Sequence, residues 1–166
     1  MSRSVFILSG VLLCGSLAFT AGCSDHKAQI AATERAHKHE HNPLHDGVPI
    51  VLGAELYHLE LVLDPAAGKL QAYVFDSELE NFVRTATPSF VVTATVDGVD
   101  KQLVFHAVAN PATGETVGDT SLFEANADWL KSNPIFDADL QSITIHDSTF
   151  TDVKFNYPKG NDTEMD

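Results

Sequence analysis

Only two cysteines occur in the sequence, Cys14 and Cys23, and both fall within its first 23 residues. Everything downstream is therefore closed to disulfide stapling, to a thiol nucleophile and to thiolate ligation. The two methionines stand at opposite ends, Met1 and Met165, which argues against a soft sulfur cage for copper(I). Cations are scarce as well: 10 Lys and Arg face 23 Asp and Glu, for a formal net charge of -13. Such a surface repels nucleic acid phosphates and attracts cations, so no nucleic acid partner is expected. Beyond the amino-terminal leader, no stretch is long and apolar enough for the roughly 20-residue span of a bilayer. What remains is a chain of 166 residues with 44% hydrophobic content, enough for one compact core and short for two domains.

The leader carries Arg3, then an apolar run from Val5 to Leu13, then Leu17, Ala18 and Phe19, then the small residues Ala21 and Gly22. That is the charged, apolar, small-residue order of a secretory signal, and residues 1–22 are read as one. Ser9, Gly10, Gly15 and Ser16 interrupt the run, which disfavours a permanent transmembrane helix. The stretch Leu17-Ala18-Phe19-Thr20-Ala21-Gly22-Cys23 resembles the lipobox of bacterial lipoproteins. The resemblance implies a diacylglyceryl group on Cys23 and attachment to a membrane through that lipid. Ser24, in place of an aspartate after the cysteine, implies by the same resemblance the outer membrane, facing the periplasm. The alternative is a plain cleaved signal that leaves Cys23 a free exported thiol.

Residues 23–46 are polar, without strand alternation or a helical stripe, as a tether would be. Histidine dominates here: His26, His37, His39, His41 and His45, with Glu40 inside the cluster. Neutral imidazole is a common ligand for zinc and copper(II). In an extended chain His37, His39 and His41 project to one side, and in a helix His37 and His41 meet across a turn. The Asn42-Pro43 turn would fold His45 back toward them. The bland alternative is a soluble tether whose histidines bind metals adventitiously.

From Val48 onward the pattern is that of strands. Glu55 to Asp64 alternates, with Tyr57, Leu59, Leu61 and Leu63 on one face and Leu56, His58, Glu60 and Val62 on the other. A turn at Pro65-Ala66-Ala67-Gly68 leads to Lys69–Phe75, and Asp97-Gly98 joins Ser89–Val96 to Lys101–Val108 as a second hairpin. A short strand at Leu122–Glu124, a helical turn over Ala125–Lys131, and strands at Leu140–His146 and Thr149–Tyr157 complete the set. Seven or eight short strands predict an all-β fold, an antiparallel sandwich of immunoglobulin-like size over residues 47–158, with a frayed polar tail at 159–166. Trp129, Phe75, Phe82, Phe90, Phe105, Phe123, Phe136 and Phe155 are expected to fill its core.

His58 and Glu60 share one strand face and would present a nitrogen and an oxygen together, with His45 in reach if the Val48 strand pairs with the Glu55 strand. A solvated pair is the plainer reading. His106 and His146 have fewer candidate ligands nearby. The His-rich segment, the His45-Asp46-Gly47 turn and His58-Leu59-Glu60 together resemble small periplasmic domains and lipoproteins that accompany bacterial heavy-metal efflux adaptors. The likeness covers roughly residues 37 to 76, and those proteins read His-Gly-Gly where this chain has His45-Asp46-Gly47.

Enzyme signatures are absent: there is no Gly-x-Ser-x-Gly elbow and no His-Glu-x-x-His, and Gly114-Glu115-Thr116-Val117-Gly118 lacks the lysine of a phosphate loop. Two expectations follow. One is a lipoprotein that captures or buffers zinc or copper in the envelope through His37, His39, His41, His45, His58 and Glu60, passing it to a metal transporter or efflux component. The other is an envelope-anchored interaction or structural module with no physiological metal.

Overall fold

A computed structural model describes residues 42–132 and 135–162. The expected signal peptide, the expected lipidation site Cys23, and the expected ligands His37, His39 and His41 lie outside the described residues. Alternation of apolar and polar side chains sets eight strands: β1 (Val48–Leu52), β2 (Tyr57–Asp64), β3 (Lys69–Phe75), β4 (Ser89–Val96), β5 (Val99–Ala107), β6 (Leu122–Asn126), β7 (Phe136–Ile145) and β8 (Ser148–Tyr157). A short 3-10 turn, Asp128–Lys131, follows β6. The fold is all-β and every pairing is antiparallel. β1 does pair with β2, and β4 with β5 across the Asp97-Gly98 turn.

All eight strands join one sheet in the order β1-β2-β3-β6-β5-β4-β7-β8. Hydrogen bonding thus does not divide them into the two facing sheets that the strand count suggested. The reason is local: β6 lies between β3 and β5, and although it meets β5 at only His106↔Glu124 and Ala107↔Phe123, those pairs stitch the halves together. At the far ends β1 approaches the end of β8. The Asn161 side chain accepts from Val51 N–H at 2.8 Å and donates to the Val51 carbonyl at 3.1 Å. Gly160 packs so closely there that a Cβ would stand 2.6 Å from the Pro49 carbonyl oxygen. The sheet curls nearly into a barrel, and residues 160–161 are pinned instead of frayed.

Inward positions fill one core. Phe90 and Phe105 stack at 4.7 Å with Phe123 edge-on at 5.2 Å from Phe90, and Phe136 stacks on Tyr157 at 5.3 Å. Ile50, Leu52, Leu59, Leu61, Leu103 and Leu140 close the gaps. Each such side chain contributes about 1.5–3 kcal/mol on burial. Apolar inside and mostly polar outside is the reverse of a membrane β-barrel. β7 starts at Phe136, earlier than the expected Leu140, because Asp137 and Asp139 face outward while Phe136 and Ala138 face in. Three expected core aromatics sit elsewhere: Phe75 is buried on the outer face of β3 against Phe82. Phe82 is 49% exposed, and Trp129 packs at the rim with the Lys101 ammonium 5.4 Å from its ring.

Candidate functional site

The inner face of β2 delivers Leu59 and Leu61 to the core, so His58 and Glu60 must face outward. Outward residues of a sheet are ordinarily solvated, yet both are 0% exposed. Each is covered because it fastens a loop over the outside of β2 and β3.

Glu60 fastens the turn that precedes β1. Its Oε1 accepts from the backbone N–H of His45 at 2.7 Å and of Gly47 at 2.9 Å, and its Oε2 accepts from His45 Nδ1 at 2.7 Å. A buried carboxylate without partners would cost several kcal/mol; these three charge-assisted bonds offset that cost. The turn fits only with glycine at 47, where a Cβ would lie 2.7 Å from Glu60 Cγ and 2.7 Å from the Leu61 carbonyl oxygen. Asp46 sits in the left-handed region, φ 55°, which glycine would adopt without a Cβ penalty. The His45 ring stacks on Tyr73, centroids 4.0 Å apart and 14° from parallel. Tyr73 is the register partner of Glu60 on β3. Burial, then the carboxylates of Glu124 and Glu60, push the Tyr73 phenol up from its ordinary value, so it stays neutral.

His58 fastens the loop after β3. Its Nδ1 donates to the Asp76 carbonyl at 3.1 Å. The Asp76 carboxylate in turn accepts from Glu80 N–H, Asn81 N–H and Asn81 Nδ2 at 3.1, 3.2 and 2.7 Å, rounding off the loop. Partial burial opposes ionisation of Asp76, but the bonds from Asn81 and Glu80 outweigh it and hold the carboxyl below its ordinary value. Leu79 is buried beneath the loop in the left-handed region, φ 58°, a conformation a branched apolar side chain takes only when its surroundings impose it. The loop delivers Phe82, 4.6 Å from Phe75 and 5.9 Å from His45.

The two fastened loops form one wall of a cleft of about 520 Å³, faced by His45, Tyr73 and Phe82 on one side and Arg84, Glu115 and Ser121 on the other. Glu115 is buried; its Oε1 accepts from Ser121 N–H at 2.8 Å and Ser121 Oγ at 2.6 Å, and its Oε2 from Thr113 Oγ1 at 2.6 Å. Burial pushes the Glu115 carboxyl up, but the Ser121 and Thr113 bonds and the Arg84 charge prevail and hold it below its ordinary value. Arg84 donates to the Thr113 carbonyl at 2.7 Å and to Asp119 at 3.2 Å.

Of the candidate ligands, His45 and Glu60 come together, while His58 shares their strand face and spends its Nδ1 on Asp76. Among the described residues, no three His, Cys, Asp or Glu side chains gather as a metal cage. His106 and His146 are exposed, the latter in the β7–β8 turn. Two ligands about 2.05 Å from a tetrahedral zinc stand about 3.3 Å apart, and the 2.7 Å between His45 Nδ1 and Glu60 Oε2 is instead a hydrogen bond. Glu60 therefore orients His45, and the Nδ1–H tautomer it selects places the ring's lone pair on Nε2. Sequence reasoning missed Tyr73, Phe82, Arg84 and Glu115. The signal available was the outward row Gln71, Tyr73 and Phe75, too aromatic for an uncovered face. No protein-family model, no curated protein and no solved structure matches the chain.

Proposed function

We propose that this chain is an exported lipoprotein, attached through Cys23 to the periplasmic side of the outer membrane, that captures zinc or copper(II) and hands it to a transporter or efflux component. His45 is the ligand held ready, through Nε2. His37, His39 and His41, close before it in sequence, supply further ligands. Glu60 is the orienting residue, and His58 supports the neighbouring loop. The finer architecture is read as a closed sandwich, its halves β1-β2-β3-β6 and β5-β4-β7-β8. No enzymatic step is assigned.

One observation carries the metal reading: a fully buried carboxylate 2.7 Å from Nδ1 of a histidine whose side chain is 33% exposed. A carboxylate behind an imidazole, with the other nitrogen facing outward, is the common outer-sphere arrangement of metal-binding histidines. The test is a competitive zinc and copper(II) titration of the full chain in detergent, beside His45→Ala, Glu60→Gln and a His37→Ala/His39→Ala/His41→Ala variant. Stoichiometric binding is expected, weakened about 10- to 100-fold by Glu60→Gln and further by His45→Ala. Binding that is weak and indifferent to all three sinks the reading. The interaction module would then stand, favoured by the same His45–Glu60 bond taken as a purely structural strut.

A further inference from the structure

The imidazole just described opens onto a cleft that metal capture alone does not require. Zinc takes four ligands, and the described residues gather no three His, Cys, Asp or Glu side chains; beside His45 stands Glu60, already spent on its Nδ1. The cleft it lines holds about 520 Å³, within the range of about 300–1,000 Å³ usual for small-molecule sites. One wall is the apolar row of Tyr73 and Phe82 rings. The other presents a single cation, Arg84, 40% exposed and fixed by the Thr113 carbonyl, with Glu115 behind it at 3.9 Å.

We propose that this cleft receives the metal already chelated: a divalent transition-metal ion in complex with a small carboxylate chelator, the ion at His45 Nε2 and a chelator carboxylate on Arg84. The inference rests on the metal reading above and adds its substrate class. A guanidinium is matched to a carboxylate in shape as well as charge, through paired parallel N–H donors. Arg84 now spends part of that fork on Asp119, whose side chain is 59% exposed. A solvent-facing ion pair of that kind is weak, so an incoming carboxylate displaces Asp119 into water at little cost. The bond to Thr113 stays and keeps the guanidinium aimed. Phe82, nearly half exposed beside the site, gives the chelator's carbon skeleton an apolar surface to cover. In this arrangement the chelator completes the coordination that a single imidazole leaves open, and no bond within it needs to form or break.

The experiment uses the full chain in detergent with His37→Ala/His39→Ala/His41→Ala to silence the tract, titrated with zinc alone, citrate alone and zinc citrate. Zinc citrate is expected to bind at least about tenfold tighter than zinc, about 1.4 kcal/mol, with citrate alone weak. Arg84→Gln removes that advantage and leaves the His45-dependent zinc binding; Arg84→Lys retains part of it. Asp119→Asn, which frees the guanidinium, raises zinc citrate affinity several-fold. Equal affinity for zinc and zinc citrate, or an advantage that survives Arg84→Gln, overturns the proposal. If thermal melting shows that Arg84→Gln does not fold, Arg84→Lys and Asp119→Asn decide, no change in either being a refutation. Failure of His45→Ala to affect zinc binding by the unaltered full chain would instead strike the metal reading itself.

Discussion

The outside of this sheet has two different treatments. Over β2 and β3, two loops cover the surface, and the polar residues beneath them, His58 and Glu60, are wholly buried with defined partners. Over β4, β7 and β8 the surface is bare and acidic, a shallow depression lined by Asp137, Asp139, Asp152 and Lys154 among others. There the polar groups also pair, Lys154 with Asp139 at 2.6 Å and Asn156 with Asp137 at 2.8 Å. Those pairs are strand neighbours across β7 and β8 and would be in register with or without the bond. On the covered face the contacts of Glu60 and His58 instead tie a strand to a loop and create the surface they sit in. The lesson concerns burial: identical chemistry positions a loop when water is excluded, and decorates a strand when it is not.

The sharpest way to break this contrast is Glu60→Ala. It orphans the amides of His45 and Gly47 and should lower unfolding free energy on the order of 3 kcal/mol, read by chemical denaturation; a loss below about 1 kcal/mol would mean that the covered face is no more cooperative than the bare one. Next in size is Gly47→Ala, where the new Cβ meets Glu60 and the Leu61 carbonyl. About 1–3 kcal/mol should be lost, with amide exchange rising at His45 and Gly47 and staying unchanged in β7.

Acid sharpens the comparison further. The folded-state pKa of Glu115 is held down, so its contribution is fully present above the unfolded glutamate value of about 4.3 and is lost as pH falls through the lower folded value. Stability measured from pH 5 downward should therefore fall less steeply in Glu115→Gln than in the parent, and coincident curves would count against the assignment. The smallest effect is expected on the bare face, where Lys154→Ala should leave the unfolding midpoint within experimental error.

Much of the fold was legible in the sequence because it follows from two-residue alternation, as in Leu59 and Leu61 against His58 and Glu60, and from local turn chemistry such as Asp97-Gly98. The joining of both halves through two β5–β6 pairs was not, since no local pattern encodes which strand a long loop returns to. The site was half legible. His45 and Glu60 were expected to meet, and do, but their roles depend on which atoms face each other: a 2.7 Å hydrogen bond makes one the orienter of the other. Arg84 and Glu115 reach the cleft from segments whose sequence has no periodicity to read. Phe82 looked like core because its residue type says so; the Asp76 loop carries it outward.

The clasp between Asn161 and Val51 also bears on the outer edge of β1. A carboxamide that both donates to and accepts from one residue mimics a peptide group, so Asn161 satisfies on β1 the groups that another chain's strand would otherwise use. Exposed strand edges are templates for intermolecular pairing. That one side chain therefore fills the donor and the acceptor of Val51 that an incoming strand would need, so a chain truncated before Asn161 would leave them open.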